Sequence, residues 1–88
     1  MFEFHETPKY KKDMEKLDNQ FQKIAINKLK QIKITENPLF LARKINGKKN
    51  KFRFRIGSLR IIFEIIENKI ILQAIKHRKE IYKDLKNL

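Results

Sequence analysis

The sequence has no cysteine and no tryptophan, and only two glycines, two prolines and two histidines. Without cysteine there is no disulfide and no thiolate-held zinc or iron–sulfur centre. With only His5 and His77, an imidazole-based metal site is not expected. Long hydrophobic runs are missing too. Apolar stretches such as Ile61-Ile62-Phe63 and Ile70-Ile71-Leu72 cover three residues each, whereas a membrane-spanning helix needs about 20. Met1 is followed at once by Glu3 and Glu6, which speaks against a secretory leader, so the expected compartment is the cytoplasm. The scarcity of glycine excludes a Walker-type or other Gly-rich phosphate loop, and no zinc-finger spacing occurs. Carboxylates are sparse in the second half. Glu64, Glu67, Glu80 and Asp84 are scattered there, with no cluster suited to Mg²⁺.

What the sequence does have is positive charge. Its 88 residues carry 22 Lys plus Arg against 10 Asp plus Glu, a net charge of +12. That exceeds the magnitude of about 2–8 that suits a small soluble domain. A polyanionic partner is implied, nucleic acid ahead of a membrane surface; the alternative is a lysine-rich or thermophilic background composition. The distribution favours the partner. Residues 1–43 hold nine basic and six acidic side chains, net +3, and residues 44–88 hold 13 and four, net +9. From Arg43 to Arg60 there are eight basic residues and no acidic one. A chain of this length forms one domain, residues 1–88, and buries only about 60–65% of its unfolded surface.

Periodicity predicts the element order. Phe2 and Phe4 alternate within a short first strand, Met1 to His5. Thr7-Pro8 is a helix start, with Thr7 as N-cap. Tyr10, Met14 and Leu17 make an apolar stripe on the first helix. Asn19, with Gln22 as capping-box partner, opens a second helix whose stripe is Phe21, Ile24, Ala25, Leu29 and Ile32. Asn37-Pro38 stops it. The period then falls to two: Phe52, Phe54 and Ile56 alternate with Lys51, Arg53 and Arg55. Gly57-Ser58 and Glu67-Asn68-Lys69 are turns between this strand, Leu59–Ile66 and Ile70–Lys76. The apolar run of the middle strand suits a central position covered on both faces. Lys79 to Leu88 is a short helix or a frayed tail. The expected fold is α+β, in the order β-αα-βββ, with the helical hairpin on one face of a mainly antiparallel four-stranded sheet.

Arginine marks the candidate site. The chain has 17 Lys and five Arg, yet Arg53, Arg55, Arg60 and Arg78 all fall in the sheet region and its exit. Arginine is distinguished from lysine by its planar, bidentate grip on phosphate. Arg53 and Arg55 share the strand face opposite the phenylalanines, either as part of that grip or as an ordinary solvated sheet face. Arg60 lies inside the most apolar strand and needs a partner or a purpose; Glu64 is the candidate salt-bridge partner. His77 can move protons near neutral pH or simply occupy a surface turn. Tyr82 can stack on a base or transfer a proton. His5 reads as structural. Lys44, Lys48, Lys49 and Lys51 are candidates for contact with RNA or another polyanion. Such a set can cleave RNA without a metal cofactor, because the 2′-OH is an internal nucleophile.

The ordered set of segments resembles the RelE/ParE superfamily of toxin–antitoxin toxins. The segments are Asn46-Gly47-Lys48-Lys49-Asn50-Lys51-Phe52-Arg53-Phe54-Arg55-Ile56-Gly57, then Leu59-Arg60-Ile61-Ile62-Phe63-Glu64-Ile65, then Ile75-Lys76-His77-Arg78-Lys79-Glu80-Ile81-Tyr82. The resemblance covers nearly the whole chain. For the RelE branch it implies a ribosome-dependent mRNA interferase that cuts codons in the A site. A RelB-like antitoxin partner and the absence of any cofactor are implied with it. Arg53 and Arg55 match two basic residues, lysines in the well-studied type, with base and charge-stabilising roles. Arg60 matches the transition-state arginine. Arg78 matches the arginine that contacts phosphate and leaving group. Tyr82 matches the tyrosine that stacks on the codon base, and His77 the histidine of an His-Arg variant. Arginines in place of lysines hand proton abstraction to His77, Lys51 or Tyr82. Leu59 stands where the family usually has tyrosine. The ParE branch implies inhibition of DNA gyrase without cleavage; a passive nucleic-acid-binding module is a third reading.

Overall fold

The computed structural model describes every residue from Met1 to Leu88. The elements are β1 (Glu3–Glu6), α1 (Pro8–Lys16), α2 (Asn19–Ile34), a 3₁₀ turn (Pro38–Leu41), β2 (Ala42–Lys44), β3 (Lys51–Ile56), β4 (Leu59–Ile66), β5 (Lys69–His77) and α3 (Arg78–Leu85). The sheet has five strands in the order β1-β5-β4-β3-β2. β1 pairs parallel with β5, and all other pairs are antiparallel. The fifth strand, β2, was hidden because three residues are too few to show alternation.

Local chemistry sets the boundaries. Thr7 caps α1 by accepting the Tyr10 amide at 3.2 Å, with Pro8 in the first turn. For α2 the expected cap shifts by one. Asp18 is the N-cap residue and makes no side-chain cap bond. Gln22, instead of closing a capping box, donates to the Met14 and Glu15 carbonyls at 2.9 and 3.3 Å and ties the two helices together. Gly57 takes φ +57°, as the first central residue of a two-residue hairpin turn requires. Glu67 adopts φ +55° in the next turn, where a side chain is strained.

Phe54, Ile56, Leu59, Ile61, Phe63, Ile70, Leu72 and Ile75 fill one sheet face and pack on Tyr10, Ala25, Leu29 and Ile32. Ile24, expected in that stripe, is 49% exposed, because its position falls on the flank of α2 rather than over the sheet. The other face carries a second cluster, Ile45, Ile62, Ala74 and Ile81, with Leu85 and Leu88 against it. The tail is therefore a packed helix, and β4 is indeed covered on both sides. A bulge between Ile62 and Phe63 leaves Gln73 without a partner on β4 and shifts the phase of β5. Beyond it Ile75 lies opposite Ile61 on the core face, and Lys76 opposite Arg60 on the other.

α1 shields the part of β5 beyond Leu72, where the short β1 no longer pairs with it. The buried Asp13 carboxylate, 5% exposed, accepts the Ile75 amide at 3.2 Å. Lys9 bridges Asp13 and Asp84 at 2.9 Å each, and Lys76 reaches Asp84 at 3.2 Å, fastening α3 to α1 and β5. Burial alone would raise the Asp84 pKa, but hydrogen bonds from Lys9 and Lys76 outweigh it and hold the carboxyl below its ordinary range.

Candidate functional site

Register brings the arginines together. Arg55 lies directly opposite Arg60, and Arg53 opposite Arg43, while Arg53 and Arg55 are two positions apart on one strand. Four guanidinium groups thus share the sheet face that α3 leaves open. None of the five arginines makes an ion pair; the fold's pairs all use Lys9, Lys51, Lys76 or His5.

Arg60 is the pivot. It is only 6% exposed, and its Nη1 donates to the Gly57 and Leu59 carbonyls at 2.7 and 2.8 Å. The expected partner Glu64 does not serve it. Glu64 lies opposite Lys51 and pairs with it at 3.1 Å. Nε and Nη2 of Arg60 are left without a protein partner. Arg60 lines a hollow of about 370 Å³ together with Gly57, Ser58, His77, Arg78, Lys79 and Glu80. Burial, then the charges of Arg55, Arg78 and Arg53, lower the Arg60 pKa. The group nonetheless stays cationic at any working pH. An anion in the hollow would relieve that crowding.

His77 enters the hollow at the junction of β5 and α3. Its Nδ1 lies 3.2 Å from Ser58 Oγ, and its ring stands edge-on to Phe21 at 4.6 Å between centroids. The Arg78 amide donates to the Ser58 carbonyl at 2.7 Å, which locks the turn to the start of α3. The first turn of α3 forms one wall, so the positive end of its dipole faces the same space. Tyr82, 57% exposed, stands on α3.

Of the sequence-predicted residues, Arg60, His77 and Arg78 line this hollow, Arg55 adjoins it across the strand pair, and Arg53 follows one step along β3. The lysines lie elsewhere. Lys51 is engaged by Glu64 and by Gln73 Oε1 at 2.6 Å. Lys48 donates to the Leu88 carbonyl at 2.9 Å, and Lys49 stays exposed on the β2–β3 loop. That loop is at the opposite end of β3 from Gly57. Lys44 pairs across from Phe52, on the face away from the arginines. Sequence reading took Ser58 only as a turn residue. Its signal was its place two residues before Arg60, in a turn that the β4–β5 register sets beside His77.

This α+β fold is shared by solved structures of RelE toxins. The RelB–RelE antitoxin–toxin complex from Methanococcus jannaschii is similar, at 23% identity and TM-score 0.74, over 91% of this chain and 96% of that one. The isolated E. coli RelE toxin matches over 99% of this chain and 97% of its own, at 13% identity and TM-score 0.66. YafQ from E. coli strain BL21(DE3) matches over 93% and 99%, at 10% identity and TM-score 0.65. No curated protein matches the sequence. Residues 6–82 match the family described as the ParE toxin of the type II toxin–antitoxin system parDE. The chain belongs to that family, within the RelE/ParE superfamily, and is the toxin of a toxin–antitoxin module.

Proposed function

We propose that this toxin is a ribosome-dependent mRNA endonuclease that cuts codons in the A site by attack of the RNA's own 2′-OH. The observation that carries the reading is the convergence of the unpaired Arg60 and Arg78 with His77 and Ser58 on one hollow. In the proposed reaction the 2′-oxygen bonds to phosphorus and the bond to the 5′-oxygen breaks. A 2′,3′-cyclic phosphate and a 5′-hydroxyl result. His77 Nε2, free of protein partners, takes the 2′-OH proton, and the departing 5′-oxygen is protonated by that imidazolium or by water. Arg60 and Arg78 balance the charge that grows on the phosphorane, the largest catalytic contribution in such a site. Tyr82 stacks on the base beside the cut. Of the other two candidate bases, Lys51 is neutralised by Glu64 at 3.1 Å, and Tyr82 stands on the rim. A RelB-like antitoxin is the natural counter-charge for a domain of net +12.

Primer extension on a reporter mRNA in a translating cell-free reaction tests the reading. The expected result is discrete breaks within codons that require translation and vanish with Arg78→Ala. Intact mRNA would overturn it. The family match over residues 6–82 favours a second reading, gyrase inhibition without cleavage. In that case purified protein blocks supercoiling, and Arg78→Ala or Tyr82→Ala leaves the block intact.

A further inference from the structure

The arginine face continues past the hollow. Beyond Arg55 and Arg53 it reaches Arg43 on the edge strand and then the 3₁₀ turn. There Phe40 stands 85% exposed, with Leu41 beside it half-exposed. Phe40, Leu41, Ala42, Arg43, Arg53 and Arg55 line a second hollow of about 460 Å³, within the range of about 300–1,000 Å³ typical of small-ligand sites. No carboxylate lines it.

Phe40 is not on a loose loop. Pro38 is buried, Asn37 Oδ1 accepts the Leu39 amide at 3.2 Å, and the Asn37 carbonyl accepts the Phe40 amide at 3.2 Å. The turn holds an aromatic ring in water, forgoing the burial that such a side chain normally gains. An aromatic platform next to a row of cations is the combination that holds single-stranded nucleic acid: the ring stacks a base while the cations follow the phosphates. The row crosses from β4 to β2, about 10 Å at ordinary strand spacing.

We propose that this second hollow is a nucleotide subsite, in which the base of a flanking nucleotide of single-stranded RNA stacks on Phe40 while its backbone lies on Arg43, Arg53 and Arg55. The inference rests on the endonuclease reading and extends it by one contact site. RNA is favoured over a protein segment by continuity. Arg55 lines the second hollow and lies opposite Arg60 of the first across the strand pair, so one RNA strand can run from one to the other. The hollow on the other side of Phe40 contains Glu36 and repels a phosphate chain. That fixes the side along which the strand runs.

The test uses a short 2′-O-methyl RNA, which cannot be cleaved, with 2-aminopurine placed at each position in turn. The intact chain should quench the probe at one position that Phe40→Ala restores and Phe40→Trp does not. Phe40→Ala should weaken anisotropy-measured binding about tenfold, and Arg43→Ala should reduce the salt slope by about 0.7. Unchanged quenching and affinity in Phe40→Ala would overturn the subsite while leaving the endonuclease reading in place. Loss of antitoxin co-purification with RNA binding intact would reassign the surface to a protein and also overturn it. No RNA binding by the intact chain would overturn the subsite alone, because the endonuclease reading has the ribosome present the codon.

Discussion

Two parts of one sheet treat positive charge in opposite ways. At the β5 edge, Lys9 and Lys76 each sit within 3.2 Å of a carboxylate, and the result is a clamp between α1, β5 and α3. On the arginine face and the hollow at its Gly57–Ser58 end, none of the five arginines makes an ion pair, and Arg60 is buried with the charges of three others acting on it. A compensated cation stabilises the fold. Uncompensated cations cost stability and are kept where an anion is to arrive.

The sharpest way to break that contrast is to remove a cation from each side. Arg78→Ala should lower mRNA cleavage about 10²–10³-fold, with an unchanged urea-unfolding midpoint. An unfolding midpoint that falls with activity would assign Arg78 to the fold instead. On the clamp side Asp13→Ala should destabilise the domain by about 3 kcal/mol, since it strands the buried Ile75 amide and removes one of the two carboxylates that hold Lys9. Urea unfolding measures this directly. Asp13→Asn, which keeps an acceptor for the amide, should recover part of the loss.

Acid titration sharpens the same contrast. Asp84 has its pKa below the ordinary 3.8 in the folded chain. Its contribution to stability is complete above that value and is lost as pH falls through the lower, folded one. Burial opposes and the hydrogen bonds to Asp84 and Asp13 dominate for Lys9, whose pKa is raised above 10.5. The Lys9 contribution is complete below that pH and disappears only as the pH rises through the folded value. Unfolding midpoints followed from neutral pH downward should therefore fall more steeply in the intact chain than in Asp84→Asn. Parallel curves would show that the clamp carries little. The smallest effect is expected far from both regions. Glu67→Gly, which relieves φ +55°, should stabilise by about 1 kcal/mol, read as a raised thermal midpoint.

Much of this was legible in the sequence, for physical reasons. Thr7-Pro8, Gly57-Ser58 and the alternation from Lys51 to Ile56 are local signals, and local hydrogen bonding and sterics decide them. The arginine cluster was legible because strand alternation fixes which side chains share a face. Three features were not. β2 exists by pairing with β3, not by its own pattern. Glu64 was matched to Arg60 by counting along one strand, whereas it is paired with Lys51 across two. The lysines from Lys44 to Lys51 looked continuous with the arginines in sequence, but the β3 strand carries them to the other end of the sheet.

The bulge beside Gln73 works like a gear tooth in β5. Before it, Ile70 and Leu72 mesh with the core; after it, the same role passes to Ile75, and Lys76 turns to meet Asp84. Were Gln73 to take a regular pairing on β4 instead of bulging, the first half of the strand would keep its place. The second half would then present Ile75 to water and Lys76 to the core, and would carry His77 away from Phe21 and Ser58. The hollow is thus timed by a single unpaired residue several positions upstream, so sequence drift within its own lining is less dangerous to it than a one-residue slip elsewhere.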